Sequence, residues 1–226
     1  MKKNTYHLTP EEKQAKIDAV ANSSNEICMN NNNSKLGIGC LSLAFPVCAC
    51  NPKAPCFKTC YAQHGPMAFA GVQGAYWRNW RLWNEDPNDF FEQVYFKIKF
   101  SGLSKVRFFD SGDIPSEDFL HRMIVLAGKF PSVQFMAFTK QYDIVNNVLS
   151  REDLPNNLVI FFSAWDKLWE VPNPYDLPIA YVKFDDERLT PEIPKYAFHC
   201  PGKASTCSAC GVCFSKKTKA VYFDEH

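Results

Sequence analysis

The chain has almost no net charge: 25 Lys and Arg against 24 Asp and Glu leave a formal +1 over 226 residues. Proteins that hold nucleic acid without sequence preference displace counterions with a basic surplus, so that class loses its usual footprint here. An uninterrupted apolar run of membrane-spanning length is also missing, and Lys2 and Lys3 lead into Thr-Tyr-His-Leu-Thr-Pro-Glu-Glu with no apolar leader. These absences point away from the membrane and predict a cytoplasmic protein. No solenoid-length repeat and no low-complexity domain is present, which removes the repeat architectures.

Cysteine and aromatics are abundant. Ten cysteines in a reducing compartment are poor disulfide formers, and their clustering argues for metal or redox chemistry. Nineteen Phe within a 15% aromatic share fit core filling or pocket lining, of which core is the simpler use. A 46% apolar chain of this length suits one domain, 1–226, with 1–34 as a peripheral amino-terminal helix and loop and 195–226 as a carboxyl-terminal cysteine-cluster segment.

Four of the cysteines stand at Cys48, Cys50, Cys56 and Cys60, in a loop broken by Pro52 and Pro55. Such a loop can fold back and aim several thiolates at one soft metal centre. A disulfide staple or incidental core packing are the alternatives. Cys28 and Cys40 lie outside the clusters and read as small buried side chains.

Along the chain, Thr9 caps a helix over 9–21, with Pro10 at its first position and Glu12 closing a capping box. Residues 35–45 predict a strand leading to the cysteine loop. Tyr76, Trp80 and Trp83 recur at helical spacing. That helix either packs into the core or turns Arg78 or Asn79 toward a ligand, and interleaved Arg and aromatics can also stack on bases. Asp86-Pro87 opens a helix with Phe90, Phe91, Val94 and Ile98 on its inner side, ending near Gly102. Strands over 105–110, 133–138, 158–162 and 179–184 then alternate with helices over 116–128 and 142–149, the first of these with Phe119, Leu120, Met123, Ile124 and Ala127 inward. This alternation predicts an α/β fold of βα units with a parallel sheet, open or curled to a partial barrel.

In such folds the working residues sit beyond the carboxyl ends of the strands. Those ends carry Asp110-Ser111-Gly112-Asp113, Thr139-Lys140 and Ser163-Ala164-Trp165-Asp166. Each is polar and follows directly on an apolar strand. A strand-end Asp can also be a plain cap or turn residue.

A second set follows at Cys200, Cys207, Cys210 and Cys213, spaced C-x6-C-x2-C-x2-C. The tight run is similar to ferredoxin-type ligation of a 4Fe-4S cluster, and four thiolates would equally satisfy zinc. His199 reads as a neighbour of this set.

The chain resembles the gene product 88 family of uncharacterised phage and bacterial proteins. The resemblance rests on Asn33-Ser34-Lys35, Cys50-x5-Cys56-x3-Cys60-Tyr61-Ala62, Arg78-Asn79, Ser111-Gly112-Asp113, Phe138-Thr139-Lys140, Ser163, the four late cysteines and the closing Val221-Tyr-Phe-Asp-Glu-His226. It spans nearly the whole chain. More distantly the order of motifs resembles radical SAM proteins, in which three cysteines hold a 4Fe-4S cluster whose open iron binds S-adenosylmethionine. That resemblance implies Cys50, Cys56 and Cys60 as ligands and Ser111, Gly112 and Asp113 as the motif receiving the cofactor's amino group; Lys140 and Ser163 are expected to join them at the cofactor, with the substrate held near Asp113, Lys140 and Ser163. The spacing here is C-x5-C-x3-C where that family's standard is C-x3-C-x2-C. Cys48 is the deciding residue: as a fourth ligand it would close the site and favour electron transfer or structure, and otherwise the site is open for catalysis. The expectation is therefore a radical-SAM-like iron–sulfur enzyme with a small-molecule cofactor and a further substrate. The alternative is a non-catalytic binding or electron-transfer module held by zinc or iron–sulfur, with nucleic acid as a partner that net charge does not support.

Overall fold

The computed structural model describes residues 8–31, 33–202 and 205–225. Helix α1 (Pro10–Ala21) begins as the capping box predicts: the Thr9 side chain accepts from the Glu12 amide, and the Glu12 carboxylate accepts from the Thr9 amide. Strand β1 (Met29–Asn30) pairs antiparallel with β2 (Leu41–Leu43). The strand expected over 35–45 is thus only three residues long. Gly37 at φ +80° turns the chain before it, because residues 35–39 must pass beneath a later segment.

Helices α2 (Ala70–Glu85) and α3 (Pro87–Ser101) meet at Asp86, whose side chain accepts from the Asn88 and Asp89 amides. Gly102 in the left-handed region ends α3, as expected from the sequence. Then come β3 (Lys105–Phe108), α4 (Glu117–Lys129), β4 (Gln134–Thr139), α5 (Tyr142–Leu149), β5 (Leu158–Ser163) and β6 (Ile179–Lys183). Strand β3 stops two residues early because Phe109 takes a positive φ of 63°. Strand β7 (Phe198–His199), the short helix α6 (Cys207–Cys210) and strand β8 (Ala220–Asp224) complete the chain.

The protein is therefore a mixed α/β fold on one eight-stranded sheet in the order β1-β2-β3-β4-β5-β6-β8-β7. Every neighbouring pair except β1/β2 is parallel. From β2 to β6 the strands lie in chain order, so each crossover steps one strand along in the same direction. Crossovers of one hand then place their helices on one face. That face holds the main core, where Phe108, Phe135, Ile160 and Phe162 of the sheet meet Phe90, Phe91, Val94 and Ile98 of α3, Phe119, Leu120 and Met123 of α4, and Val145 and Val148 of α5. Phe119 sits at its centre, 4.8 Å from the Trp83 ring and 5.0 Å from that of Phe91. Ile124, expected on the inner side of α4, only packs against the rim, and Leu126 is buried in its place.

The opposite face of the sheet is also covered, by the late cysteine segment. Met136 packs with Leu36, Cys40 and Phe214, and Val159, Phe161, Ala180 and Val221 form the adjoining patch. Two backbone bonds hold the segment down, from the Cys207 amide to the Lys35 carbonyl (3.0 Å) and from the Ser208 amide to the Leu36 carbonyl (2.8 Å). Strand β8, which the sequence did not suggest, then inserts between β6 and β7. Among the described residues no helix is long and apolar enough to cross a membrane.

Candidate metal centre

Because β2 to β5 are mutually parallel, their carboxyl ends share one edge of the sheet. The loop after β2 winds through short helical turns at Val47–Ala49, Pro55–Phe57 and Tyr61–Gln63, and crosses that edge. Asn51 Nδ2 donates to the Lys140 carbonyl at 3.3 Å, tying the loop to the end of β4. Tyr61 is half exposed, but its hydroxyl reaches inward and donates to the Asp110 carbonyl at 2.7 Å, tying the loop to the end of β3.

Beneath the loop lies Asp113, 5% exposed. Its Oδ1 accepts from the Ile114 amide at 2.7 Å and its Oδ2 from the Lys140 amide at 2.9 Å, so one carboxylate joins two strand ends. Burial pushes its pKa up to about 6, against the pull of the Thr139 hydroxyl, the two amides and the Lys140 charge. Gly112 must be glycine on two counts: φ is +79°, and a Cβ there would lie 2.7 Å from Phe45 Cβ and 2.9 Å from the Phe45 carbonyl oxygen. Ser111 is buried with its hydroxyl unpartnered, while its carbonyl accepts from the Phe45 amide at 3.0 Å. Lys140 Nζ lies 5.3 Å from the centre of the Trp165 ring. Ser163 joins through its carbonyl, which accepts from the Tyr142 hydroxyl; Trp169 Nε1 donates to that hydroxyl at 2.8 Å. Burial raises the Tyr142 pKa, the Trp169 hydrogen bond opposes the rise, and Asp113 and Cys56 add to it.

Three of the four loop thiols belong together. Burial raises the Cys50 pKa most, with Asp113, Cys60 and Cys56 adding to it, and Cys60 is raised by burial and further by Cys56. Cys48 is exposed, and none of the other three contributes to its shift. All ten cysteines are unbridged. Among the described residues no three His, Cys, Asp or Glu side chains converge on a single-ion site. A polynuclear cluster asks for something else, neighbouring thiolates that each take a different iron, and the soft donor set of Cys50, Cys56 and Cys60 fits that demand.

The late set lies on the other face of the sheet. Cys200, Cys207, Cys210 and Cys213 line one cavity with Arg107 and Lys35 in its wall. Helix α6 puts Cys207 and Cys210 at its two ends, and Gly211 at φ +69° turns the chain so that Cys213 follows. Burial pushes Cys213 up to about 12, with Cys207, Cys200 and Cys210 adding to the shift and Arg107 opposing it. Among the described residues these four thiols line one hollow without converging on a single-ion site, so the group their donor set fits is a polynuclear cluster. His199 is engaged elsewhere, 2.9 Å from Asp224 Oδ2 and stacked on Tyr222.

Cys40 is fully buried beside this region, as expected, while Cys28 is only half-buried. The ligand-facing role considered for Arg78 and Asn79 gives way to packing. Asn79 is 1% exposed, accepts from the Cys28 amide and donates to the Cys28 and Ala44 carbonyls. Arg78 donates to the Val20 carbonyl and Arg81 to that of Ser24, so the arginines a base-stacking surface would need are already engaged.

Tyr142 and Arg107 escaped the sequence reading. Only the contacts of Tyr142 distinguish it from other helix-start aromatics. Arg107 carried a signal, a charge at an alternating position inside a short apolar strand, whose meaning depends on what covers that face.

Fold and site together define an α/β protein with a sequentially wound parallel sheet and thiols gathered at its carboxyl edge. The family model described as Gene product 88 matches residues 8–191, and the chain belongs to that family. The match takes in Cys50, Cys56, Cys60, Asp113, Lys140 and Ser163, and it ends before Cys200, short of the nearly full-length span that the motifs suggested. Neither a curated protein nor a solved structure matches the chain.

Proposed function

We propose that the protein is a radical-SAM-like iron–sulfur enzyme, with its sheet read as a partial barrel and its reaction centre at Cys50, Cys56 and Cys60. The observation that carries this reading is the meeting of Cys50 with Cys56, Cys60, Asp113 and Lys140 at the shared carboxyl edge of strands wound in chain order. Sequential winding without a reversal is the strand order of a barrel wall, which supports the partial-barrel reading.

Three protein thiolates on a 4Fe-4S cluster would leave one iron open to S-adenosylmethionine, and an electron from an external reductant would cleave that cofactor to methionine and a 5'-deoxyadenosyl radical able to take a hydrogen atom from substrate. The chain's own residues hold and shape the site. Asp113 fixes the Lys140 and Ile114 amides, so the two strand ends cannot drift apart under the loop. Gly112 lets the β3 end pass against Phe45, and Tyr142 joins the β5 end to the same neighbourhood. Ser111 offers a buried hydroxyl with no internal partner. Asp113, Lys140 and Ser163 are the positions proposed to flank cofactor and substrate.

The test is anaerobic reconstitution followed by reduction with S-adenosylmethionine present. The reading expects 5'-deoxyadenosine and methionine. A fully iron-loaded protein that forms neither would sink it. A second reading, a metal-stabilised binding or electron-transfer module, draws support from the late set, where four thiolates leave no open coordination position. A colourless protein holding zinc and no sulfide would favour it.

A further inference from the structure

Arg107 is out of place in its strand. It lies on the face of β3 covered by the late segment, in the wall of the cavity that Cys200, Cys207, Cys210 and Cys213 line. Its Nε is sealed from solvent and has no hydrogen-bond partner. No carboxylate comes within ion-pair distance of it among the described residues. Arg107 is half-buried, and its guanidinium carbon lies 5.3 Å from the centre of the Phe138 ring, a contact that does not replace the hydrogen bond its sealed Nε lacks. Asp110, the nearest acid along the chain, gives its Oδ2 to Asn33 and Ser42 and keeps its Oδ1 buried and unpartnered, beyond ion-pair distance of Arg107.

The cavity supplies the missing partner. Four thiolates around a 4Fe-4S core or a zinc ion leave a net charge of about −2. The other cations near it are less free to answer that charge. Lys105 Nζ donates to the Ser208 carbonyl at 2.7 Å, and Lys35 lies 5.7 Å over the Phe223 ring. We propose that Arg107 is the internal counter-charge of a metal–thiolate cluster at Cys200, Cys207, Cys210 and Cys213, and that it sets how readily that cluster is reduced. This rests on the iron–sulfur reading of the late set and is independent of S-adenosylmethionine chemistry at the first. Burial works against the guanidinium charge while Tyr61, Asp110, Cys207 and Cys213 favour it, and the balance holds its pKa above the ordinary value. A fixed positive charge stabilises the reduced cluster, which carries one more negative charge, so Arg107 acts as a positioning and tuning residue.

The experiment measures the reduction potential of the late cluster in a full-length background carrying C50A, C56A and C60A, which leaves only that set to load. R107M is expected to weaken reduction at least about tenfold, a fall of about 59 mV for one electron, at unchanged iron and sulfide. R107K keeps the charge and is expected to restore most of the potential, which a purely packing role for the arginine would not do. If R107M does not fold, R107K and R107Q decide between them: a higher potential in R107K supports the proposal, and equal potentials overturn it. An unmoved potential in a fully loaded R107M overturns it, as does zinc without iron at the late set. S-adenosylmethionine cleavage is assayed separately on the wild-type protein, so loss of the enzyme reading and loss of the Arg107 role give different results.

Discussion

The two cysteine sets lie on different sides of the same sheet and are built on different principles. The first crosses the strand ends on short turns with Pro52 and Pro55 in it, and three of its four thiols share a neighbourhood with Asp113 and Lys140. The second lies flat against the sheet, with all four thiols on one hollow and a half-buried arginine, its Nε unpartnered, in the wall. Three thiolates over the polar edge of a parallel sheet make a site that can accept a ligand, whereas four inside an apolar layer make one that is closed by protein. The difference teaches that a count of cysteines says less than which strand face receives them.

The sharpest test of that contrast is Cys56→Ala, which under the iron–sulfur enzyme reading should remove the iron of the first set and abolish 5'-deoxyadenosine formation while the late set stays loaded, as read by iron and sulfide analysis. If C56A empties both sets, they form one unit and the contrast fails. Two glycines offer matched perturbations, one per set. Gly37→Ala would place a Cβ 2.3 Å from Ser208 Oγ at φ +80°, and Gly112→Ala would place one 2.9 Å from the Phe45 carbonyl at φ +79°. Each should cost about 1–3 kcal/mol in urea unfolding. Hydrogen exchange should rise at residues 205–214 for the first and at 45–61 for the second, and exchange rising equally in both regions would argue against separate supports.

Asp113→Ala leaves the Lys140 and Ile114 amides without their acceptor inside the protein, at an expected cost of about 1–3 kcal/mol. Under the enzyme reading it also weakens S-adenosylmethionine binding, measured by calorimetry on the reconstituted protein, and unchanged binding would remove Asp113 from the cofactor site. The smallest effect is expected for Cys48→Ala. An exposed thiol outside the mutual field of the other three should leave iron content alone and stability within about 0.5 kcal/mol. Loss of iron in C48A would make it a fourth ligand and close the first site.

Much of the helical layer could be read directly from residues. The Thr9 capping box, the Asp86-Pro87 start, the Gly102 stop and the core positions Phe90, Phe91, Val94 and Ile98 are local signals, because capping and helical periodicity act within a turn or two. The strand ends were legible for a related reason, since a polar residue directly after an apolar strand marks where the chain turns, although Asp110, Ser111, Asp113 and Thr139 all stay buried there. Strand lengths were less so. Residues 35–40 alternate well enough for a strand but turn instead, because the late segment bonds to Lys35 and Leu36 from far along the chain. The Arg78 and Asn79 pair looked available for a ligand until their partners at Val20, Cys28 and Ala44 came close.

By itself, the sequence determined that this is a single α/β chain with a parallel sheet, thiol-rich loops in two places and polar strand ends, since composition, periodicity and short spacings carry that information. Only the tertiary structure decided that Cys48 stands apart from its three neighbours, that Asp113 and Tyr142 join separate strand ends, that β8 enters the sheet beside β6, and that Arg107 faces the second set. The reason is range. Capping and alternation are settled by residues a few positions apart, whereas a buried charge or a thiol takes its role from whatever the folded chain brings against it from a hundred residues away.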